Sequence, residues 1–323
     1  MSTVPNHRKT IFLTCILCVL IILISPWIGS TSWRQLTNFI FWQIRAPRVI
    51  AGVGIGATLA ITGAAFQSLF GNPLATPSTT GTTAGASLGA LVALLVLSST
   101  TWFHEYTVSL CAFLGAMAVT VPLSMLSTKR NMHMANVLLA GIALSLASSA
   151  ITTGLQFQAD IAATYRAVQW SLGSLSQVGY ENIFLLLPLC ILSCFGILWH
   201  TAELQSLIFG EEQAFTQGVD IEKIRFRVLF FGGLGVAVSV AWCGPIAFIG
   251  LIVPHIVRKI CNNSRRILLP MSGVVGATFL VLCDAVARVI LSGRELPVGV
   301  LTALIGAPLL IMLVVYKRNH DYL

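Results

Sequence analysis

The sequence predicts an all-α, polytopic membrane protein of about ten transmembrane helices, and three observations carry that reading. Of 323 residues, 56% are apolar and only 9% charged, with a mean hydropathy of +0.87, whereas soluble domains carry about 25% charged residues. The apolar residues fall in runs close to the length of about 20 that a bilayer core demands of a helix. The charges gather between the runs, most densely in 203–227, ELQSLIFGEEQAFTQGVDIEKIRFR, which holds Glu203, Glu211, Glu212, Asp220, Glu222, Lys223, Arg225 and Arg227. An ionised side chain at the bilayer centre costs at least about 2.5 kcal/mol, so this island is expected in water.

Ten runs are candidate spans: 11–29, 49–70, 81–98, 107–126, 134–157, 182–199, 228–243, 245–261, 268–291 and 299–316. The first follows Arg8 and Lys9 and closes on Ser25, Pro26 and Trp27 without a small-residue cleavage site, so an uncleaved span is expected. No charge occurs between Arg48 and Glu105, and there Gly71, Asn72, Pro73 and Pro77 supply the turn. Runs seven and eight are parted only by Gly244 and Pro245. Pro122, Pro188, Pro254, Pro270 and Pro308 fall within or near the ends of runs, where neighbouring helices can satisfy the freed carbonyls. Gly52 and Gly56 share a helix face, as do Gly81, Gly85 and Gly89. Small faces let helices approach closely in lipid, and packing within the chain is favoured over a dimer seam. The whole chain, 1–323, reads as one membrane domain from which 203–227 protrudes.

Sidedness follows from the 19 Lys and Arg. A cytoplasmic N-terminus places Arg8, Lys9, Lys129, Arg130, Lys223, Arg225, Arg227, Arg258, Lys259, Arg265, Arg266, Lys317 and Arg318 inside, against Arg34, Arg45, Arg48, Arg166, Arg288 and Arg294 outside. The positive-inside bias then predicts that both termini and the island face the cytoplasm. The net charge of +8 is scattered between apolar runs with no aromatic-interleaved patch, so nucleic acid is not an expected partner. The eight cysteines lie in or at the edge of apolar runs and read as packing residues rather than disulfides or metal ligands. No two of the six histidines have the spacing of metal ligands, and no metal or cofactor is expected on this chain.

Several segments together resemble the membrane subunits of bacterial ABC importers for iron chelates and cobalamin, the iron-siderophore permease family. They are IRAPRVIAGVGIGATLAITGAAFQSLFGNPLATPSTTGTTAGASLGA at 44–90, LAGIALS at 139–145, WSLGSL at 170–175, GEEQAFTQGVD at 210–220, GPIAFIGLIVPHIVRKI at 244–260 and ELPVGVLTALIGAPLL at 295–310. One departure is the threonine-rich turn between Thr79 and Gly85. The resemblance implies a type II ABC importer permease in the bacterial inner membrane, working with two ATP-binding subunits, a periplasmic substrate-binding protein and a second permease subunit, itself or a paralogue.

GEEQAFTQGVD reads locally as a short helix, with Glu211 and Glu212 in its first turn near the positive end of the dipole and Gly218 as C-terminal cap. The resemblance implies that it is the coupling helix, with Gly210, Glu211, Glu212, Ala214 and Gly218 engaging an ATP-binding subunit. It likewise implies that Arg45, Arg48 and Arg288 receive acidic residues of the binding protein; the competing readings are headgroup snorkelling and, for Arg288, an internal pair with Asp284 four residues before it. A translocation path is implied along 139–158, 165–175 and 300–312, with Ser145, Ser148, Ser149 and Thr152 as candidate lining residues. His255 reads as structural.

No GxxxxGK[ST] motif occurs, so no catalytic site is expected here and ATP is expected to be hydrolysed by the partner subunits. An ion-driven secondary transporter would want intramembrane acids, and only Asp160 and Asp284 come near, both toward span ends. An intramembrane enzyme would want Glu and His together within one span, and none has them. The cargo expected on family frequency is a ferric siderophore; haem, cobalamin and oxyanions are the alternatives.

Overall fold

The computed structural model describes residues 7–29, 37–96, 104–129, 132–261, 264–291 and 295–320, and the regular structure there is helical. Arg34, Arg130 and Arg294, counted above for sidedness, lie outside the described residues. Helix α1 (His7–Ile24) ends in a 3-10 turn at Ser25–Trp27. A wide π turn, Ile40–Arg45, leads into α2 (Ala46–Leu69); Pro47, with no N–H to give, marks the change to the regular helix. A 3-10 turn, Pro77–Thr80, precedes α3 (Thr82–Val96), followed by α4 (His104–Leu126), α5 (Met134–Gln158), α6 (Ile161–Ser171) and α7 (Tyr180–Leu198). The island supplies α8 (Thr201–Ser206) and α9 (Glu211–Thr216), and the chain closes with α10 (Ile221–Cys243), α11 (Ile249–Ile260), α12 (Arg265–Ala287) and α13 (Val298–His320).

Each of the ten apolar runs corresponds to a helix. Among the described residues seven of these, α1, α2, α4, α5, α7, α10 and α12, are long and apolar enough to cross a membrane. A full span over 245–261 needs correction. Gly244 and Phe248 both take positive φ, 67° in each case, so α11 begins only at Ile249 and has 12 residues. At 1.5 Å per residue that is about 18 Å, short of the bilayer core of about 30 Å. The preceding run corrects the other way: α10 begins at Ile221, so Glu222, Lys223, Arg225 and Arg227 stand on its first turns rather than in a loop.

The fold is arranged around α2, which packs on α7, α10, α11 and α12, while α3 packs on α4 and α5. The contacts are made at backbone distance. A Cβ on Gly63 would collide with the backbone of Gly250 in α11, and one on Gly56 with the carbonyl of Gly276 in α12. Gly85 and Gly89 meet Gly115 and Cys111 of α4 in the same way. Both small faces are therefore spent inside the chain. Gly81 is not on its helix: it takes φ +83° at the hinge between the threonine turn and α3. The threonines of that turn satisfy their own backbone, Thr76 and Thr79 capping each other and Thr80 Oγ1 donating to the Pro77 carbonyl at 2.7 Å.

Broken helices leave polar backbone at membrane depth, where only protein can satisfy it. At the 244–248 break, Ser174 N donates to the Cys243 carbonyl at 2.7 Å and Gly299 N to the Gly173 carbonyl at 3.1 Å, joining three segments. Within α11, Pro254 cannot donate to Gly250 four residues back. Gln67 of α2 replaces the missing bond, its Nε2 donating to the carbonyls of Gly250 at 3.2 Å and Leu251 at 3.3 Å.

Gly63→Val should therefore lower the thermal unfolding temperature in detergent markedly, overpacking costing about 1 to 3 kcal/mol. Gly54→Ala, whose new methyl meets only the end of the Leu187 side chain at 2.8 Å, should be nearly neutral. Equal melting temperatures for the two variants would refute the backbone contact.

Candidate functional site

Charged groups collect at the two ends of the bundle. Helices α2 and α10 run antiparallel: Gly235 faces Thr58 and Gly232 faces Phe66. The start of α10 thus lies by the end of α2, and the island lies at the opposite end from Arg48.

At the island end, α9 has the local form its sequence asks for. Gly210 starts it with φ 106° and ψ 156°, a conformation in which a Cβ is strained. Gly218 closes it at φ +82°, with Gly218 N donating to the Phe215 carbonyl at 2.9 Å and Val219 N to the Ala214 carbonyl at 3.1 Å, the paired bonds of a left-handed helix stop. Ala214 is fully buried, whereas Glu211 and Glu212 are exposed in the first turn. Asp220 caps α10, accepting from Lys223 N at 3.1 Å. The side-chain and backbone bonds from Lys223 hold its carboxyl below the usual carboxylate range. Arg225, 6% exposed, reaches back from α10 to pair with Glu211 and donates to the Met132 carbonyl at 2.9 Å.

At the other end the three arginines singled out in the sequence do not present a free charged face. Arg45, Arg48 and Arg288 are 5%, 3% and 3% exposed. Arg48 Nε donates to Asp284 Oδ1 at 2.7 Å and its Nη1 to Glu295 Oε2 at 2.6 Å. Arg288 Nε lies 3.3 Å from Asp284 Oδ2, and its Nη2 donates to the carbonyl and hydroxyl of Ser25, both at 3.2 Å. Arg45 Nη1 donates to the Pro26 carbonyl at 3.1 Å. The internal pair of Arg288 with Asp284 is thus formed, and snorkelling is not what these side chains do. Together they tie the end of α1, the start of α2, the end of α12 and Glu295 around one buried carboxylate.

The model of the FecCD transport family matches residues 10–316. The chain belongs to the FecCD transport family. Similar members include the vitamin B12 import system permease protein BtuC of Vibrio cholerae, 35% identical over 310 residues that cover 94% of this chain and 91% of that one. The hemin transport system permease protein HmuU of Yersinia pestis is 34% identical over 299 residues, covering 90% and 88%. A solved metal-chelate type ABC transporter in an inward-facing conformation superposes with a TM-score of 0.85 at 31% identity, covering 97% of this chain and all of that one. The chain is accordingly a permease subunit of an ABC importer.

In this FecCD permease the candidate path residues divide. Ser149 is exposed, Ser145 and Thr152 are half-buried, and Ser148 is turned into the chain at 7% exposure. Ser148 therefore does not belong to the open face. The exposed side chains of the three segments are otherwise largely apolar, among them Leu139, Leu146 and Phe157 of α5, Ile161 and Tyr165 of α6, and Leu304 and Ile311 of α13. Asp160, the other acid near a span end, caps α6 by accepting from Ala163 N at 2.9 Å. His255 Nδ1 lies 3.0 Å from the Leu251 carbonyl of its own helix. Among the described residues no group of three or more His, Cys, Asp or Glu is placed to hold a metal. Sequence reasoning missed Gln67, which also accepts from Arg258 Nη2 at 2.6 Å; the proline four residues after Gly250 signals an orphan carbonyl, but nothing in sequence names its partner.

Removing Asp284 takes the buried counter-charge from two buried guanidinium groups, and breaking a buried pair costs about 3 to 5 kcal/mol. Asp284→Ala should therefore lower the melting temperature far more than Glu295→Gln, because the Glu295 side chain is itself 47% exposed and losing a pair with a solvated partner costs about 1 kcal/mol or less. Similar melting curves for the two variants would remove Asp284 from the centre of the cluster.

Proposed function

We propose that this permease conducts a metal chelate from periplasm to cytoplasm, a ferric siderophore in the first instance. The observation that carries the reading is α9, a short capped helix held out at one end of a bundle whose family couples transport to ATP. In this reading α9 seats in a groove of an ATP-binding subunit through Gly210, Glu211, Glu212, Ala214 and Gly218. Closure of two such subunits moves the paired helices, and the attached spans tilt with them. Lys129, Lys223, Arg225, Arg227, Arg258, Lys259, Arg265 and Arg266 belong to the α9 end, which supports a cytoplasmic location for that end and for both termini in the inner membrane.

A second permease copy, or a paralogue, would cover the apolar face of α5, α6 and α13 and enclose the path. Lightly polar positions such as Ser145, Ser149 and Thr152 suit a passage that binds weakly and leaves selection to a separate binding protein. Corrinoid cargo is the second reading, favoured by the B12 import permeases among the similar chains. The binding protein is proposed to dock at the Arg45 end. Arg48 and Arg288 are committed to Asp284 and Arg45 donates to the Pro26 carbonyl, so acids of the binding protein would be drawn by the net positive field of this cluster rather than by three free guanidinium groups.

The deciding experiment is uptake into vesicles containing the permease, its ATP-binding subunit and its binding protein, offered ferric hydroxamate, ferric catecholate, hemin and cyanocobalamin. Uptake of a ferric siderophore that stops when the ATP-binding subunit is inactivated is expected. Uptake that persists on an ion gradient would overturn the importer reading, and uptake of cyanocobalamin alone would select the second cargo. Glu211→Lys combined with Glu212→Lys should abolish uptake with the protein still inserted. Arg45→Gln should weaken association of the binding protein, and more so at low salt, because it lowers the positive field of this end, which salt screens over about 10 Å at 0.1 M; equal affinities would remove Arg45 from the docking field.

A further inference from the structure

We infer that Arg225 is the positioning residue through which movement of α9 reaches α5, and this rests on the coupling role proposed above for α9. The guanidinium stands on the second turn of α10 and holds two partners at once. One is Glu211, in the first turn of α9; the other is the Met132 carbonyl, two residues before α5 begins. The planar fork of arginine suits this double grip, whereas a lysine ammonium presents a single point of charge. The guanidinium is 7% exposed and the Glu211 side chain 53%, so the link runs from a surface acid to a buried anchor.

The surroundings favour transmission along this link. A cavity of about 810 Å³ lies between α9 and the turn before α5, lined by Lys129, His133, Glu211, Phe215, Glu222 and Arg225. Across that space Arg225 joins the two elements directly. On the α5 side, Met134 and Val137 are buried in one small core with Ile224 and Val228 of α10. The start of α5 and the start of α10 are therefore gripped together, and Arg225 adds a side-chain link from α9 to both. Within the chain α5 buries 22% of its apolar window against 78% for α2, its open face being the one proposed above for the second permease subunit.

The test uses the full complex with its ATP-binding subunit in lipid nanodiscs. Maleimide labelling rates are read at Thr216→Cys on α9 and Ser149→Cys on α5, both exposed positions, with and without ATP and vanadate, above the background of the native cysteines. In the parent, nucleotide should change both rates. In Arg225→Ala the response at Thr216→Cys should persist, while that at Ser149→Cys shrinks about threefold or more, within the range that coupling residues command. Arg225→Lys, which keeps the charge and cannot hold both partners, should fall between and serves if the alanine variant does not fold. An unchanged α5 response overturns the inference. So does loss of both responses together, which would make Arg225 a support of α9 alone, and so does a parent α5 that ignores nucleotide while α9 responds. A parent in which neither position responds would instead sink the coupling role of α9 itself.

Discussion

Backbone contact along α2 is the constraint on which the rest of the molecule depends. Lipid tails are as apolar as leucine, so helices in a bilayer gain little from hiding apolar surface and associate through close van der Waals contact. Gly56 and Gly63 let α12 and α11 come against α2 at main-chain distance, with Gly276 and Gly250 opposite them. Once those approaches are made, the helix break at 244–248 and the proline in α11 are held against neighbours that can serve their polar groups. Gln67 illustrates the dependence. Its amide reaches the Gly250 and Leu251 carbonyls only because Gly63, one turn earlier, has already brought α11 to that distance.

Charge is handled by confinement to the ends. A buried ion must be paired and hydrogen-bonded to be tolerated, and both clusters obey this in different ways. Around Asp284 the pairing is inward, with two arginines sharing one carboxylate and helix ends supplying carbonyl acceptors. That arrangement binds α1, α2 and α12 into a rigid rim. Around Arg225 the pairing runs from inside to outside, linking a buried guanidinium to an exposed glutamate on a short helix. The first cluster is a staple, while the second ties a short helix to the turn before α5 and the start of α10.

Much of the architecture was legible in advance. The ten apolar runs correspond to ten helices because hydropathy and turn residues act locally, and α9 was legible down to its glycine stop at Gly218 because capping depends on a handful of adjacent residues. Less legible was the fate of each side chain. Arg45, Arg48 and Arg288 read as outward charges, yet Asp284 and Glu295 lie more than 200 residues from Arg48 along the chain, and no local pattern announces such a partner. Ser148 and Ser149 look equivalent in sequence, yet on α5 the first is buried and the second exposed. The boundary of α11 was misjudged because an apolar run does not disclose that Phe248 will take a left-handed conformation.

The sequence by itself determined that this chain lives in a membrane, where its helices lie, which segment stays in water and which family it resembles. These follow from transfer energies and turn propensities, which are sums over neighbouring residues. Tertiary structure alone decided which glycines touch, which arginines face inward, and that Arg225 spans the gap between α9 and α5. Those outcomes depend on distances between residues far apart in the chain, and only the packed bundle sets those distances.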